Sequence, residues 1–549
     1  MFNYTDKTIL IVDDQKAFHV MLKTMLTNQG AKNINFAESA EQAVKIANRV
    51  QYDIYLLDYN LGSGKNGAQL LDYLKKNKLI PNHAICFIIT GDANKGMVLT
   101  AIEKSPDDYL MKPFSQTQLS NRLAAATQRK LIFQEIFQSI SEEKYDLAIK
   151  QCLEKINKQS RHRALCKNLL ADIYIQKERF NDAETILKPL IDLRPLVRPS
   201  ISLGKCYFLQ QKYTEAIQVL KRLILYSPLQ MEAYQWLARA YKEDGQLEKA
   251  LKILTKAADV THHSIERHQE VVLLANEMKE HEIMLNSYSA ILSLNRNSFY
   301  PDPCHLANYI RSIVEFAKQE EDMGERRVIL KKVNSVLYQS RFEEGRNKDF
   351  NLSGFDEMCQ AKVHFALNEP LKAKRRVFNA LKSIEEPLPE FDTTFLTETL
   401  FSLLEIGEFE EATPYLAELE VRDIIDPTTE INIKKQTGEV LKQRIKTFKG
   451  YNQMGIKYFG AFQYTDALES FDKALALEPL NSGALLNRSQ VLIRMLQEKS
   501  KDSDKEKLIK QCQNSFLLLS NTHLPGNHAK RLSNLIIELR AIKGVPKNI

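Results

Sequence analysis

The sequence predicts an α/β domain, a doubly wound five-stranded parallel sheet, followed by an all-α solenoid of paired helices. Three observations carry that prediction. Short apolar runs alternate with helical patterns over residues 1–127, strand signals become rare beyond Leu131, and a spacing of 33 to 34 residues recurs in the helical part. A chain of 549 residues is too long for one hydrophobic core, so several domains or a stacked array are expected.

The β-type runs are Thr8–Val12, Asn35–Ala37, Ile54–Leu57, Ile85–Ile89 and a shorter Asp108–Leu110. Between them lie helical patterns at Phe18–Gln29, Ala40–Asn48, Ala68–Lys76, Asn94–Glu103 and Ser115–Thr127. Strands alternating with helices read as a parallel sheet covered on both faces. Chemistry in such sheets gathers where the loops converge, at the carboxyl ends of the strands.

In the helical part, Tyr174, Tyr207 and Tyr241 stand 33 and 34 residues apart, in register with Leu170-Ala171, Leu203-Gly204 and Leu237-Ala238. Nine residues after each tyrosine comes an alanine, Ala183, Ala216 and Ala250, and two of the repeats end at Pro195 and Pro228. A further copy reads Tyr451, Gly455, Tyr458, Ala467, Phe471, Ala474 and Pro479. Small residues let antiparallel helices approach closely, aromatics fill the space between repeats, and proline stops the second helix. One such hairpin cannot bury its own apolar face, so neighbours must stack.

Residues 164–264 and 448–481 resemble the tetratricopeptide pattern. Ala373 and Ala412 fit the same helix position in between, with irregular loops expected near Gln339–Gly354, Ile384–Thr394 and Asp423–Thr429. Two helices, Lys505–Ser520 and Ala529–Ile542, close the chain. The expected division is 1–127 for the α/β domain, 128–163 for a connecting helical hairpin and 164–264 for repeats. Degenerate repeats follow over 265–447, one further repeat over 448–498, and a basic helical cap over 499–549.

Charge excludes some functions. The net +7 is unevenly placed. Residues 1–125 carry +2, residues 126–498 carry −1 and the tail from 499 carries +6, so no basic DNA-reading body is implied. The mixed run KSKDSDKEKLIK in that tail reads first as a solvated helix face. No run of about 18 apolar residues occurs, so membrane insertion is not expected. The start, MFNYTDKTILIVDD, lacks a basic leader, which argues against a signal peptide. Seven scattered cysteines without a CxxC pair fit reduced thiols in the cytoplasm better than a disulfide frame or a zinc site.

Five features occur in fixed order at the predicted strand ends. They are Asp13 and Asp14 after the first strand, Asp58 after the third, Thr90 after the fourth, and Lys112, followed by Pro113, after the fifth. Together with the sheet pattern, over about residues 5–127, they resemble the receiver domain of bacterial two-component response regulators. Three carboxylates converging on one pocket repel each other unless a cation joins them, and a hard ion such as Mg²⁺ suits oxygen donors. The resemblance implies that Asp14 and Asp58 ligate Mg²⁺ directly, Asp13 through water and Asn60 through its backbone carbonyl. It makes Asp58 the phosphoacceptor, forming an acyl phosphate. Thr90 and Lys112 would stabilise the phosphate, Tyr109 would be the aromatic switch, and Pro113 would follow a cis peptide bond.

Other residues read more plainly. Asp53, Asp107 and Asp108 are expected to be surface or turn acids, Asp92 a solvated loop acid, and His262-His263 an inter-repeat turn. The loop after Asp58, YNLGSGKNG, is one residue longer than the commonest family form and lacks its usual proline, while Gly67 still marks the turn into the next helix. No GxxxxGK[ST], GxSxG or HExxH signature occurs.

The functional expectation is a phosphorelay response regulator. A histidine kinase or phosphotransfer protein phosphorylates Asp58, and a helical-repeat scaffold changes its engagement with a protein partner. The alternative is a transcriptional regulator whose repeats recruit a DNA-linked partner. No enzymatic activity beyond self-catalysed phosphorylation and dephosphorylation is expected, nucleic acid is not an expected ligand, and a homodimer stays open.

Overall fold

The computed structural model describes the chain apart from residues 1–3, 63, 82, 92–105, 158–161, 262–263, 297, 300, 342–349, 383–387, 425, 499–501, 521–523, 525 and 543–549. The expected helix Asn94–Glu103, Asp92 and His262-His263 lie outside the described residues. The chain divides into two compact units, residues 1–301 and 302–549.

The first unit opens with strands β1 (Thr8–Val12), β2 (Asn33–Ala37), β3 (Ile54–Asp58), β4 (Ile85–Thr90) and β5 (Asp108–Met111), interleaved with helices α1 (Lys16–Thr27), α2 (Ala40–Ala47) and α3 (Gly67–Lys76). The sheet is parallel throughout, in the order β2-β1-β3-β4-β5. β3 and β4 are buried along their whole length, and alternate side chains serve two cores. Leu10, Tyr55, Leu57 and Ile88 pack against α2 and α3, while Ile9, Ile11, Leu56 and Phe87 join the opposite core. β2 starts two residues earlier than its apolar run suggests, because Asn33 and Ile34 pair with Thr8 and Ile9. A polar residue is thus recruited to the ladder by its partner strand.

The last helical pattern of the α/β domain, Ser115–Thr127, belongs to a helix that runs unbroken from Gln116 to Ser141. It starts from a capping box between Ser115 and Gln118, and no Gly or Pro interrupts it. Residues 127 and 128 therefore lie inside one helix. Leu119, Leu123 and Ala126 bury in the sheet domain, and Phe133 and Ile136 bury against Ile149 and Cys152 of the next helix, Tyr145–Asn157. Between the two sets Lys130 reaches back to the Ala84 carbonyl and, at 3.2 Å, to Asp107.

Four helix pairs follow: Arg163–Gln176 with Phe180–Ile191, Val197–Leu209 with Tyr213–Tyr226, Met231–Glu243 with Leu247–Val260, and Ile265–Met278 with His281–Asn295. Ala183, Ala216 and Ala250 are completely buried where the paired helices meet. A β-carbon on Gly204 would sit 2.7 Å from the Leu220 side chain, so a larger residue there would force Leu220 to shift. Each intra-pair turn holds one left-handed residue, at Glu178, Gln211, Gly245 and Lys279, with φ of 58°, 61°, 76° and 62°. The next N–H donates to a carbonyl five residues back, as from Arg179 to Tyr174 (2.8 Å) and from Glu280 to Ala275 (2.9 Å). This closes the free carbonyls of each first helix.

In the second unit the same turn recurs at Asn368 (φ 58°), Gly407 (75°) and Phe462 (61°). The pairs are Leu352–Ala366 with Pro370–Lys382, Thr393–Glu405 with Phe409–Glu420, and Glu439–Gly460 with Tyr464–Leu477. Hairpin geometry thus persists where the consensus fades. Buried ion pairs replace part of the usual packing: Lys374 to Glu408 at 2.7 Å and Lys362 to Glu398 at 2.7 Å. The expected loop Asp423–Thr429 is corrected in its second half, because Asp426 caps a helix, Pro427–Gln436, by accepting from the Thr429 N–H. Among the described residues no helix is long and apolar enough to cross a membrane. All seven cysteines are buried free thiols.

Candidate functional site

The carboxyl ends of β1, β3 and β4 bring Asp13, Asp58 and Thr90 together, all buried, with Asp14 at the exposed rim. One carboxylate oxygen from each of Asp13, Asp14 and Asp58 lies within 4.8 Å of the others. Lys112, just beyond β5, closes the pocket. Its ammonium donates to Asp13 Oδ2 at 2.8 Å and to Asp58 Oδ2 at 2.9 Å. The Lys112-Pro113 peptide bond is cis. The five features expected from sequence therefore meet in one cleft.

Local folding explains the placement. The Gln15 N–H donates to Asp13 Oδ1 at 2.9 Å, turning the chain from β1 into α1. β5 pairs with β4 through Thr90 and Met111, and the Lys112 N–H donates to the Thr90 carbonyl at 2.8 Å, which sends the lysine inward. After Asp58 the loop turns through Asn60, whose side chain accepts from the Gly62 N–H at 3.3 Å, and through Gly62 at φ +81°. Asn66 and Gln69 form a capping box at the start of α3. Gly67 is sterically required, since a β-carbon there would collide with the Asp58 backbone carbonyl.

Burial pushes the Asp58 carboxyl up to about 6, the Asp13 charge adds to the rise, and Lys112 opposes both. One ammonium therefore does not fully compensate the crowded acids. An all-oxygen donor set with an exposed third acid fits a hard divalent cation that keeps some of its waters. Mg²⁺ matches those residues.

The response regulator receiver domain family matches residues 9–124, and tetratricopeptide repeat families match residues 168–227 and 207–271. The N-terminal domain is a response regulator receiver domain. It is 32% identical over 122 residues to the transcriptional regulatory protein YvrH of Bacillus subtilis, covering 22% of this chain and 49% of that protein. Against the phosphate regulon transcriptional regulatory protein PhoB of Pseudomonas aeruginosa the identity is 33% over 123 residues, covering 22% of this chain and 52% of that protein. Against the chemotaxis protein CheY-3 of Vibrio cholerae it is 26% over 115 residues, covering 21% of this chain and 87% of that protein. The chain thus spans about half the length of the first two. Receiver domains and tetratricopeptide repeats are not catalytic domains of the usual kinds, and receiver domains typically bind Mg²⁺ at this acidic pocket.

Several contacts within the receiver domain escape sequence reading. The Phe18 ring lies 3.8 Å from the Lys112 ammonium, a cation–π contact carried by an ordinary-looking amphipathic helix. Tyr109 is half-buried, and Arg122 donates to its carbonyl at 2.6 Å and to Asp108 at 2.7 Å. Arg122 belongs to the helix that continues into the first hairpin. Asp53 and Asp107 are structural ties: Asp53 accepts from the Thr8 N–H at 2.9 Å, and Asp107 from the Cys86 N–H at 2.8 Å. Phe299, just past the fourth helix pair, returns to the receiver domain. Its ring stands 4.4 Å from that of Tyr73 on α3 and 4.8 Å from the ammonium of Lys65, in the loop that follows Asp58. Its sequence position, over 220 residues from Tyr73, gives no hint of this contact.

Proposed function

We propose that Asp58 accepts a phosphoryl group from a histidine kinase or phosphotransfer protein, and that its phosphorylation state sets how the helical repeats engage a protein partner. The supporting observation is the single lysine bridging Asp13 and Asp58 beside a third acid. In this reading an Asp58 carboxylate oxygen forms the new bond to phosphorus as the donor's bond to phosphorus breaks, giving an acyl phosphate. Mg²⁺ held by Asp14, Asp58, the Asn60 carbonyl and, through water, Asp13 would neutralise charge on the transferring group. Lys112 then shifts its hydrogen bond from the Asp58 carboxylate to a phosphoryl oxygen, and the Thr90 hydroxyl donates to another. Catalysis of this kind is mostly positioning and charge compensation.

Two connections would carry the change to the repeats. One is Tyr109 and Arg122 on the helix shared with the first hairpin. The other is the loop after Asp58, through Lys65 and Tyr73 to Phe299. Phosphorylation biases an equilibrium that exists before it, and a useful switch needs about 1–3 kcal/mol of coupling. Repeats of this class offer extended surfaces to helices or extended peptides. The relatives named as transcriptional regulators are matched over only half their length, so the protein-binding reading is preferred. With Mg²⁺ and acetyl phosphate, intact-mass spectra should show one added phosphoryl group, labile to hydroxylamine. Its persistence in Asp58→Ala would refute the assignment.

A further inference from the structure

The second unit contains a mixed-donor cluster that the receiver chemistry does not use. Cys304 and His305 open the helix Cys304–Gln319, and Asp426 caps the helix Pro427–Gln436. All three are buried, with exposures of 6%, 8% and 8%. One sulfur, one imidazole nitrogen and one carboxylate oxygen from them lie within 4.8 Å of one another. Cys304 Sγ is 3.6 Å from His305 Nδ1. Bonds of about 2.3 Å to sulfur and 2.0–2.1 Å to nitrogen at a tetrahedral angle need a separation of roughly 3.5 Å.

The carboxylate supplies the deciding detail. Asp426 Oδ2 accepts from Asn308 Nδ2 at 2.9 Å and from the Thr429 N–H at 2.7 Å. Oδ1, equally enclosed, has no hydrogen-bond partner. A buried carboxylate oxygen without a partner is costly. Asn308 is itself fixed by Arg311, whose Nη2 donates to Asn308 Oδ1 at 2.8 Å. One oxygen is thus held by neighbours while the other keeps its lone pairs unused, in a carboxylate that comes within 4.8 Å of a thiol and an imidazole, the pattern of a ligating carboxylate with its outer partners.

We propose that Cys304, His305 and Asp426 bind one transition-metal ion of the zinc class. A thiolate and a carboxylate with a neutral imidazole balance a 2+ charge, so the buried site would carry no net charge. The soft sulfur and the nitrogen select zinc-like ions over Mg²⁺, which belongs to the all-oxygen receiver pocket. Three protein ligands leave a fourth position for water. The ion would staple two helices whose ligands stand 121 residues apart in the chain, a structural role.

The test uses the full-length protein, stripped with chelator and titrated with Co²⁺ or Zn²⁺ in excess Mg²⁺, which occupies the receiver pocket. Wild type should take up one Co²⁺ with a sulfur-to-cobalt charge-transfer band in the near ultraviolet, displaced by Zn²⁺. Cys304→Ser should lose the band, and Asn308→Ala should weaken binding about 10- to 100-fold. Asp426→Asn keeps a good helix cap, so it should stay folded by circular dichroism while binding at least tenfold more weakly. That variant decides the question if Cys304→Ser fails to fold. No sulfur band in wild type, or unchanged affinity in folded Asp426→Asn, would overturn the site.

Discussion

Phe299→Ala probes whether the end of the first repeat array senses the loop that follows Asp58. The ring meets Tyr73 at a centroid distance of 4.4 Å and a tilt of 34°, and the Lys65 ammonium at 4.8 Å. An aromatic pair contributes about 0.5–1.5 kcal/mol beyond its buried area. A cation–π contact at a partly exposed site adds about 0.5–1 kcal/mol. The contact therefore holds Phe299 to the receiver with roughly 1–2.5 kcal/mol. Expressed as coupling along this route, those two contributions alone correspond to about 5- to 60-fold in an opening equilibrium. Hydrogen exchange with and without a beryllofluoride phosphoryl mimic measures it. In wild type, protection in α3 and in His281–Asn295 should change together when the mimic binds. In Phe299→Ala the response in His281–Asn295 should vanish, while that in Phe133–Asn157, reached through the shared helix, should remain. Identical responses of His281–Asn295 in the two proteins would refute this route.

Asp58→Asn should raise the stability of the metal-free receiver at neutral pH by about 1–3 kcal/mol in urea titrations, because ionising a group held near 6 opposes folding. The sign follows from the raised value: wild-type stability should fall as pH rises from about 4 to above 6, and the variant should lack that slope. Gly67→Ala should disrupt the receiver by about 3 kcal/mol or more, since the added carbon meets backbone, whereas Gly64→Ala, with open space around it, should be near neutral in the same melting assay. Replacing Ala216 or Ala467 by leucine should cost about 1–3 kcal/mol in thermal melts, as both are completely buried. Unchanged melting in both would mean that the repeat register is wrong.

The sequence by itself determined the receiver domain and the members of its pocket. Asp13, Asp14, Asp58, Thr90 and Lys112 were legible because a parallel sheet places strand ends at fixed sequence intervals, and each residue follows a recognisable apolar run. The first repeats were legible for a similar reason: tyrosine, small residue and alanine recur at the period of one hairpin, a pattern local enough to read along the chain. What only the tertiary structure decided has no such local signature. The turn residues of later hairpins, Lys279, Asn368 and Phe462, are left-handed without being glycine, because helix pairing imposes the conformation that sequence preference would resist. The sharing of the helix Gln116–Ser141 between two different cores is likewise a matter of packing. Phe18 over Lys112, Phe299 on Tyr73, and Asp426 beside Cys304 and His305 join residues from separate elements. Such contacts depend on how whole helices stack, and stacking is fixed by summed burial and shape complementarity, so no short stretch of sequence carries its signal.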